Sequence, residues 1–258
     1  ADTFGNVIHR TFEELYKPLL SKNISKDDLL EIKNITERIV ENKFSEEYKT
    51  NELNSGKNLL SFKVAVRFVK NLLDKEIEFL KDNSLIIVDL EKKLEAEIKI
   101  SEYLKVKIIG TADRIDRVNN LTRIIDYKTG NVEQSKELSV KYISDIFSKP
   151  ILSKSFQLLM YAYMYTHGIG SGIPEAAGCI GNKGRDLQSG IIAFRKISSY
   201  MMPVKIGGEA ILSTALLKEF EAHLAALVSE IFNTKTEFTQ TTDWERCEHC
   251  SFKSICNR

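Results

Sequence analysis

The chain has 258 residues, of which 43% are hydrophobic and 28% charged. This balance is ordinary for a globular protein and excludes a largely disordered chain. Its 37 basic and 36 acidic side chains give a formal net charge of +1. Any contact with nucleic acid must therefore come from local basic patches. No stretch approaches the roughly 20 apolar residues of a membrane span, and the N-terminus lacks the pattern of a secretory signal.

The first third of the sequence has helical periodicity. Apolar residues repeat at helical spacing in three segments, and Ser25 is placed to cap the second of them. The predicted helices run through Ile8–Tyr16, Lys26–Asn42 and Leu59–Lys81. Residues 1–82 are therefore expected to form a helical N-terminal part.

The periodicity changes at Ser84 from helical to that of strands. Predicted strands cover Leu85–Leu90, Leu94–Ile100, Leu104–Ile109 and Leu121–Lys128, and later Ala176–Ile180 and Ile191–Phe194. Predicted helices cover Ser153–His167 and Leu212–Phe232. This order predicts an α/β protein in which a mixed β-sheet is flanked by helices. Residues 83–232 would form its core and residues 233–258 a tail, all within one domain.

Two acidic segments stand at the centre of the predicted sheet. The first reads Gly-Thr-Ala-Asp113-Arg-Ile-Asp and the second Ile-Ile-Asp126-Tyr-Lys128-Thr-Gly. Residues two apart in a strand share a face, so Asp126 and Lys128 project together, and a hairpin can bring Asp113 beside them. Adjacent carboxylates repel unless a cation lies between them, and Mg²⁺ prefers such oxygen ligands. A surface hairpin with an Asp126–Lys128 salt bridge is the alternative.

These segments resemble the nuclease signature of the RecB family, which lies within the PD-(D/E)XK superfamily. Gln157 and Tyr161 stand four apart on a predicted helix, hence on one face, and resemble its Q-x-x-x-Y motif. The segment from Gly5 to His9 resembles its G-x-x-x-H segment. The four elements follow the family's order and span nearly the whole chain.

The resemblance implies a restriction-endonuclease-like core and a metal-dependent DNA nuclease. It further implies an exonuclease module of a RecB- or AddB-like helicase–nuclease in DNA repair and recombination. The implied partners are DNA and a helicase domain or subunit, and no membrane. A chain that begins without Met at Ala1 also suggests a fragment of a longer protein or a processed start.

The resemblance also implies roles for individual residues. The implied ligands of Mg²⁺ or Mn²⁺ are His9, Asp113, Asp126 and the carbonyl of Tyr127. The implied catalytic residues are Asp113, Asp126, Lys128, Gln157 and Tyr161. Gln157 and Tyr161 would lie near the DNA backbone or orient the catalytic groups, although a solvated helix position suits Gln157 and a core position suits Tyr161.

Structural alternatives remain for several neighbours. His9 lies on an apolar helix face and also fits a packed core position. Arg114 and Asp116 are interpreted as a structural salt bridge beside the site. Glu91 and Glu97 lie on strands that lead to the site, and either could be a second-metal ligand or part of an exposed sheet face.

Three of the four cysteines, Cys247, Cys250 and Cys256, lie in the last dozen residues. In the reducing cytoplasm that we expect, their spacing suits Zn²⁺ or an iron–sulfur cluster better than a disulfide. The tail resembles that of AddB-type nucleases, in which a fourth cysteine before the G-x-x-x-H segment completes a [4Fe–4S] cluster. That cysteine is missing here, and Cys179 fits a buried core position. We therefore expect the cluster to be incomplete in this chain.

Two other functions compete with a nuclease. A non-cleaving DNA-binding or scaffolding module of this fold should have lost an acidic ligand or the lysine, and this sequence keeps them. A small-molecule phosphohydrolase would need a phosphate-binding glycine loop, and Gly168–Gly172 lacks that spacing. Candidate DNA contacts are Lys141, Lys149 and Lys154, each of which also fits a solvated surface.

Overall fold

The structure is a computed structural model that describes residues 3–48, 55–168, 186–237, 239–242, 244, 247–248 and 250–257. Three long helices come first: α1 (Thr3–Tyr16), α2 (Lys26–Tyr48) and α3 (Gly56–Phe79). Three strands follow: β1 (Leu85–Lys99), β2 (Lys105–Val118) and β3 (Leu121–Lys128). The later elements are α4 (Gln134–Glu137), β4 (Ser139–Val140), α5 (Ile143–Ser148), α6 (Ser153–His167), β5 (Asp186–Ala193), β6 (Met202–Pro203), β7 (Lys205–Ile206) and α7 (Thr214–Ile231).

The predicted cap of α2 is present. The backbone N–H of Asp28 donates to Ser25 Oγ at 3.1 Å, and the backbone N–H of Ser25 donates to Asp28 Oδ2 at 2.8 Å. This reciprocal pair satisfies two N–H groups that a helix start would otherwise leave without partners. The chain direction into α2 is therefore fixed by local sequence.

The described strands form a mixed five-stranded sheet in the order β1-β2-β3-β5-β6. β1, β2 and β3 are an antiparallel meander, whereas β5 lies parallel to β3 and antiparallel to β6. A parallel neighbour requires a crossover connection, and the chain between β3 and β5 includes α6, which contacts four strands of the sheet. β4 and β7 form a separate parallel pair.

Each face of the sheet carries its own hydrophobic core. One core contains buried side chains of α1, α2 and α3 together with Ile125 and Tyr127 of β3. The other contains buried side chains of α5, α6 and α7 together with Ile124 of the same strand. Successive strand residues point to opposite faces, so the sheet separates a helical layer, α1–α3, from a second layer, α5–α7.

The predicted α/β fold with a helix-flanked mixed sheet is confirmed, with differences in the strand limits. The first two predicted strands are one continuous strand, β1, and the third extends to Val118, so the motif around Asp113 lies inside β2. β5 begins at Asp186, five residues before the predicted run. The predicted strand Ala176–Ile180 lies outside the described residues. Across the described part of the chain, no helix is long and apolar enough to cross a bilayer.

Candidate active site

The site forms where β1 and β2 lose their regular alternation. Leu90 pairs with Arg114 and Lys92 with Ala112, so Glu91 lies opposite Asp113. Ala112 packs in the α5–α7 core, whereas the Arg114 side chain lies against Tyr16 of α1, on the other face of the sheet. In a regular strand two such residues would share a face.

The same irregularity appears in β1. Leu90 packs with the α1–α3 core and Leu94 with the α5–α7 core, although an even spacing would place both on one face. Between them Glu91 has a φ of 46°, a left-handed conformation that is uncommon for a residue other than glycine. The two strands therefore change sides together, and Glu91 and Asp113 occupy the boundary between the two cores.

Asp113 is buried and is held through both carboxylate oxygens. Its Oδ2 accepts a hydrogen bond of 2.6 Å from the backbone N–H of Tyr127. Its Oδ1 lies 3.4 Å from Nδ1 of His9, which comes from α1. The backbone pairing of β2 with β3 ends at Arg114 and Ile125. Beyond that point, the hydrogen bond from the backbone of Tyr127 to the Asp113 side chain connects the two strands.

His9 connects the helical layer to the sheet. Its Nε2 lies 3.2 Å from the carbonyl oxygen of Tyr127, and its Nδ1 lies 3.8 Å from Glu91 Oε1. The potential ligand atoms of His9, Glu91 and Asp113 all lie within 4.8 Å of one another. Burial lowers the pKa of His9, but hydrogen bonds and charges from Asp113 and Glu91 outweigh it and raise that pKa to about 10. Two carboxylates thus face one imidazole.

Asp126 and Lys128 of β3 complete this group. Lys128 Nζ lies 2.7 Å from Asp126 Oδ2 in a half-buried ion pair. Burial and the neighbouring charge of Asp113 raise the pKa of Asp126 to about 6, an increase that Lys128 only partly offsets. We call His9, Glu91, Asp113, Asp126 and Lys128 the acidic cluster.

The second pair of predicted residues lies beside the acidic cluster on α6. Gln157 Nε2 donates a hydrogen bond of 2.8 Å to the hydroxyl oxygen of Tyr161. Burial and the charges of the cluster's carboxylates raise the pKa of Tyr161 to about 12, so its hydroxyl stays protonated near neutral pH. The ring of Tyr161 packs over Gly110 of β2, where an added Cβ would lie 3.2 Å from Tyr161 Cε1. Glycine at this position leaves room for the ring.

The donor set of the acidic cluster fits a divalent cation. The potential ligand atoms of His9, Glu91 and Asp113 lie within 4.8 Å of one another. Asp126 lies near enough to Asp113 for that charge to raise its pKa. Carboxylate oxygens are the ligands that Mg²⁺ prefers, and an imidazole nitrogen also suits transition metals such as Mn²⁺. Lys128 only partly offsets the rise in the pKa of Asp126 that burial and the charge of Asp113 cause.

A second charged group lies directly behind the site. Arg114, buried completely, donates to Glu76 Oε1 of α3 at 2.7 Å and to Asp116 Oδ2 at 2.8 Å. Arg123 donates twice to Asp116, at 2.7 and 2.8 Å. We call Glu76, Arg114, Asp116 and Arg123 the buried network. The structural salt bridge predicted for Arg114 and Asp116 is thus present, within a larger network.

Sequence reasoning missed Glu76. It follows the buried stripe of α3 that contains Val69, Leu72 and Leu73, and a lone acid on such a stripe was the available signal. Of the two glutamates left open, Glu91 joins the acidic cluster, whereas Glu97 pairs with Lys105 at 3.4 Å on the exposed hairpin.

Each of the three lysines predicted to contact DNA lies beside an acidic or aromatic side chain. Lys149 pairs with Asp145 at 2.8 Å and Lys154 with Glu137, while Lys141 lies over the ring of Tyr142. The tail cysteines Cys247, Cys250 and Cys256 are partly exposed, and within the described residues no disulfide joins them. Within the described residues, their three sulfur atoms do not all lie within 4.8 Å of one another, as the ligand atoms of His9, Glu91 and Asp113 do. Cys179 lies outside the described residues.

Comparison with a family model identifies the superfamily to which this fold belongs. The model of the PD-(D/E)XK nuclease superfamily matches residues 1–257. The chain therefore belongs to the PD-(D/E)XK nuclease superfamily.

Individual relatives add little about the activity. An uncharacterized protein of Rickettsia bellii (strain RML369-C) is 27% identical over 207 residues, which cover 76% of this chain and 21% of that protein. The chain thus spans about a fifth of that relative's length. The crystal structure of SSO0001 aligns over 97% of this chain and 94% of that chain, with 16% identity and a TM-score of 0.34.

Proposed function

We propose that the chain is a divalent-metal-dependent deoxyribonuclease that hydrolyses phosphodiester bonds. The observation that carries the proposal is the acidic cluster, in which the ligand atoms of His9, Glu91 and Asp113 lie within 4.8 Å of one another beside the Asp126–Lys128 ion pair. Membership of a nuclease superfamily supports the same activity. A non-cleaving module would have no need to maintain an acidic excess of this kind.

His9, Glu91 and Asp113 would hold the cation, together with Asp126 and the carbonyl of Tyr127. Since the raised pKa of His9 keeps it protonated in the absence of metal, it would release this proton when the cation binds. That carbonyl faces His9 Nε2, but a carbonyl oxygen has a second lone pair that remains available. A bound cation supplies Lewis-acid chemistry, because it polarises a phosphate oxygen and makes water a better nucleophile. The imidazole in the ligand set leads us to expect that Mn²⁺ supports cleavage at least as well as Mg²⁺.

Lys128 and Tyr161 would act on the phosphate directly. The Lys128 side chain is partly exposed beside Asp126, and its ammonium would stabilise the negative charge that builds up on a phosphate during attack. Tyr161 accepts a hydrogen bond from Gln157, so its own proton remains available for a phosphate oxygen or a carboxylate. Gln157 thereby orients Tyr161.

We further propose that the chain is the exonuclease module of a RecB- or AddB-like helicase–nuclease. The motif resemblance supports this context. The length of the Rickettsia relative also supports it, because the match covers only 21% of that protein. In such a protein Cys247, Cys250 and Cys256 would bind a [4Fe–4S] cluster together with a cysteine outside this chain. The iron content of the longer protein, compared with that of its Cys250→Ala variant, tests this part.

DNA cleavage with Mg²⁺ or Mn²⁺ tests the activity. Linear and circular substrates, single- and double-stranded, are compared for the parent chain, Asp126→Ala and Lys128→Ala. Glu97→Gln is the matched control because its carboxylate lies on the exposed hairpin. We expect the first two variants to lose about 10²- to 10³-fold or more in rate while the control keeps the parent's rate.

The outcomes separate the parts of the proposal. Unchanged cleavage in folded Asp126→Ala and Lys128→Ala would remove the site assignment. Cleavage of linear but not circular DNA would support an exonuclease, and equal cleavage of both would contradict it. If the parent binds DNA but cleaves none of the substrates under any metal, the non-cleaving alternative replaces the nuclease.

A further inference from the structure

Glu76 is a completely buried carboxylate that belongs to none of the nuclease motifs. It accepts hydrogen bonds from Tyr16 at 2.5 Å, from Arg114 at 2.7 Å and from Tyr200 at 3.0 Å. These partners come from α1, from β2 and from the segment before β6, so Glu76 joins the helical layer to the sheet. Every oxygen of this carboxylate has a directed partner.

Arg114 carries this connection to the proposed metal ligands. It follows Asp113 in β2, at the point where the strand changes sides, and its side chain is drawn to the helical face by Glu76. Its Nη1 also lies 3.4 Å from the hydroxyl of Tyr127. The backbone of Tyr127 in turn contacts Asp113 and His9. Two short paths thus run from Glu76 to the acidic cluster.

Stability alone is a weak reason for such a network. Moving two arginines and two carboxylates out of water costs free energy that their mutual attraction barely repays, and well-packed apolar side chains often stabilise a fold as much. Directed hydrogen bonds instead fix the orientation of the Arg114 side chain. Because Arg114 follows Asp113 in β2, its fixed orientation also determines how the strand twists at Asp113. The residues around a metal ligand commonly serve this purpose.

We propose that Glu76 and Arg114 are positioning residues that hold Asp113 and Tyr127 in the arrangement required to bind the metal. This inference rests on the metal site of the proposed function. It gives the N-terminal helical layer a second task beyond supplying His9, because α3 then determines the geometry of a site to which it contributes no ligand.

The test measures binding of Mn²⁺ by electron paramagnetic resonance, without DNA, so that it does not depend on cleavage. Glu76→Gln keeps the shape of the side chain, and we expect about 10- to 100-fold weaker Mn²⁺ binding. Tyr16→Phe and Tyr127→Phe remove one hydroxyl each without changing any charge, and we expect losses of about 2- to 10-fold. Tyr163→Phe is the matched control, since its hydroxyl pairs with Glu221 in the other core.

The charge-neutral variants are decisive, because Glu76→Gln also adds positive charge near the cation. If neither Tyr16→Phe nor Tyr127→Phe weakens Mn²⁺ binding, or if Tyr163→Phe weakens it equally, the inference is overturned. If circular dichroism shows that Glu76→Gln does not fold, Tyr16→Phe and Tyr127→Phe still test the inference. A parent chain that binds no Mn²⁺ overturns both this inference and the metal site. A parent that binds Mn²⁺ but cleaves no DNA overturns the proposed activity alone.

Discussion

The acidic cluster and the buried network lie side by side along β2, but their charges are balanced differently. In the buried network two arginines face two carboxylates through hydrogen bonds of 2.7 to 2.8 Å. In the acidic cluster three carboxylates face one lysine and one imidazole. The first group is internally neutral, and the second keeps an excess of negative charge.

Two buried aspartates express this difference. Burial opposes the charged form of Asp116, but Arg123 and Arg114 outweigh it and lower the pKa of that carboxyl. Burial raises the pKa of Asp126, and the adjacent Asp113 raises it further, to about 6. Burial acts in the same direction in both places, so the partners decide the outcome. The two arginines thus keep Asp116 ionised, whereas Lys128 only partly offsets the effect of burial and of Asp113 on Asp126.

The largest effect is expected on removing the shared acid of the buried network. Asp116→Ala leaves both Arg114 and Arg123 without their common partner in a site closed to water. Breaking a buried ion pair in this way costs about 3–5 kcal/mol. Urea unfolding measures the loss, with Asp89→Ala as control, because Asp89 pairs with Lys92 at a half-exposed position. A loss equal to that of the control would contradict the contrast between the two groups.

Removing an acid from the acidic cluster should have the opposite sign. The folded pKa of Asp126, about 6, lies above its reference value of 3.8. Its ionised form therefore opposes folding: the penalty is absent below the reference pKa, grows between the two values and is complete above about pH 6. Without metal, Asp126→Asn should raise the free energy of unfolding by about 1–3 kcal/mol near pH 7.5 and by little near pH 4.

Thermal unfolding in a chelator at both pH values measures this gain. Adding Mn²⁺ should reverse the order, because the cation stabilises the parent by binding only its folded state. A variant that is less stable than the metal-free parent at about pH 7.5 would show that Lys128 already balances the charge of Asp126.

The parts of the molecule that sequence reasoning predicts are those that depend on local pattern. The period of apolar residues predicts the helices and the sheet, and the spacing of Asp126 and Lys128 in one strand predicts that they lie on the same face, where they form an ion pair. Glu91 and Glu97 could not be separated, because the difference arises from a left-handed residue that turns β1 over. That conformation depends on how two cores meet, and no short stretch of sequence encodes it.

Gly110 tests the contact between the acidic cluster and α6. An added Cβ would lie 2.7 Å from Met164 Cε and 3.2 Å from Tyr161 Cε1. The end of a methionine yields easily, so Gly110→Ala should cost about 1 kcal/mol. Displacement of Tyr161 should slow cleavage more than the stability loss explains. Gly130→Ala is the control for stability, since nothing lies within 4 Å of its added Cβ. Equal stabilities of the two variants would argue against close packing of Tyr161 on β2.

The smallest effect is expected at Glu97, and it sharpens the comparison with Glu91. Glu97 and Lys105 form an exposed pair on the hairpin, and such pairs contribute about 0–1 kcal/mol. Glu97→Gln should therefore change the free energy of unfolding by no more than about 0.5 kcal/mol. It should also leave the Mn²⁺ concentration that gives half-maximal cleavage unchanged. Glu91→Gln removes a carboxylate that faces His9 and Asp113, so it should raise that concentration about tenfold or more. Equal Mn²⁺ requirements in the two variants would mean that the left-handed turn at Glu91 serves the strand and not the metal site.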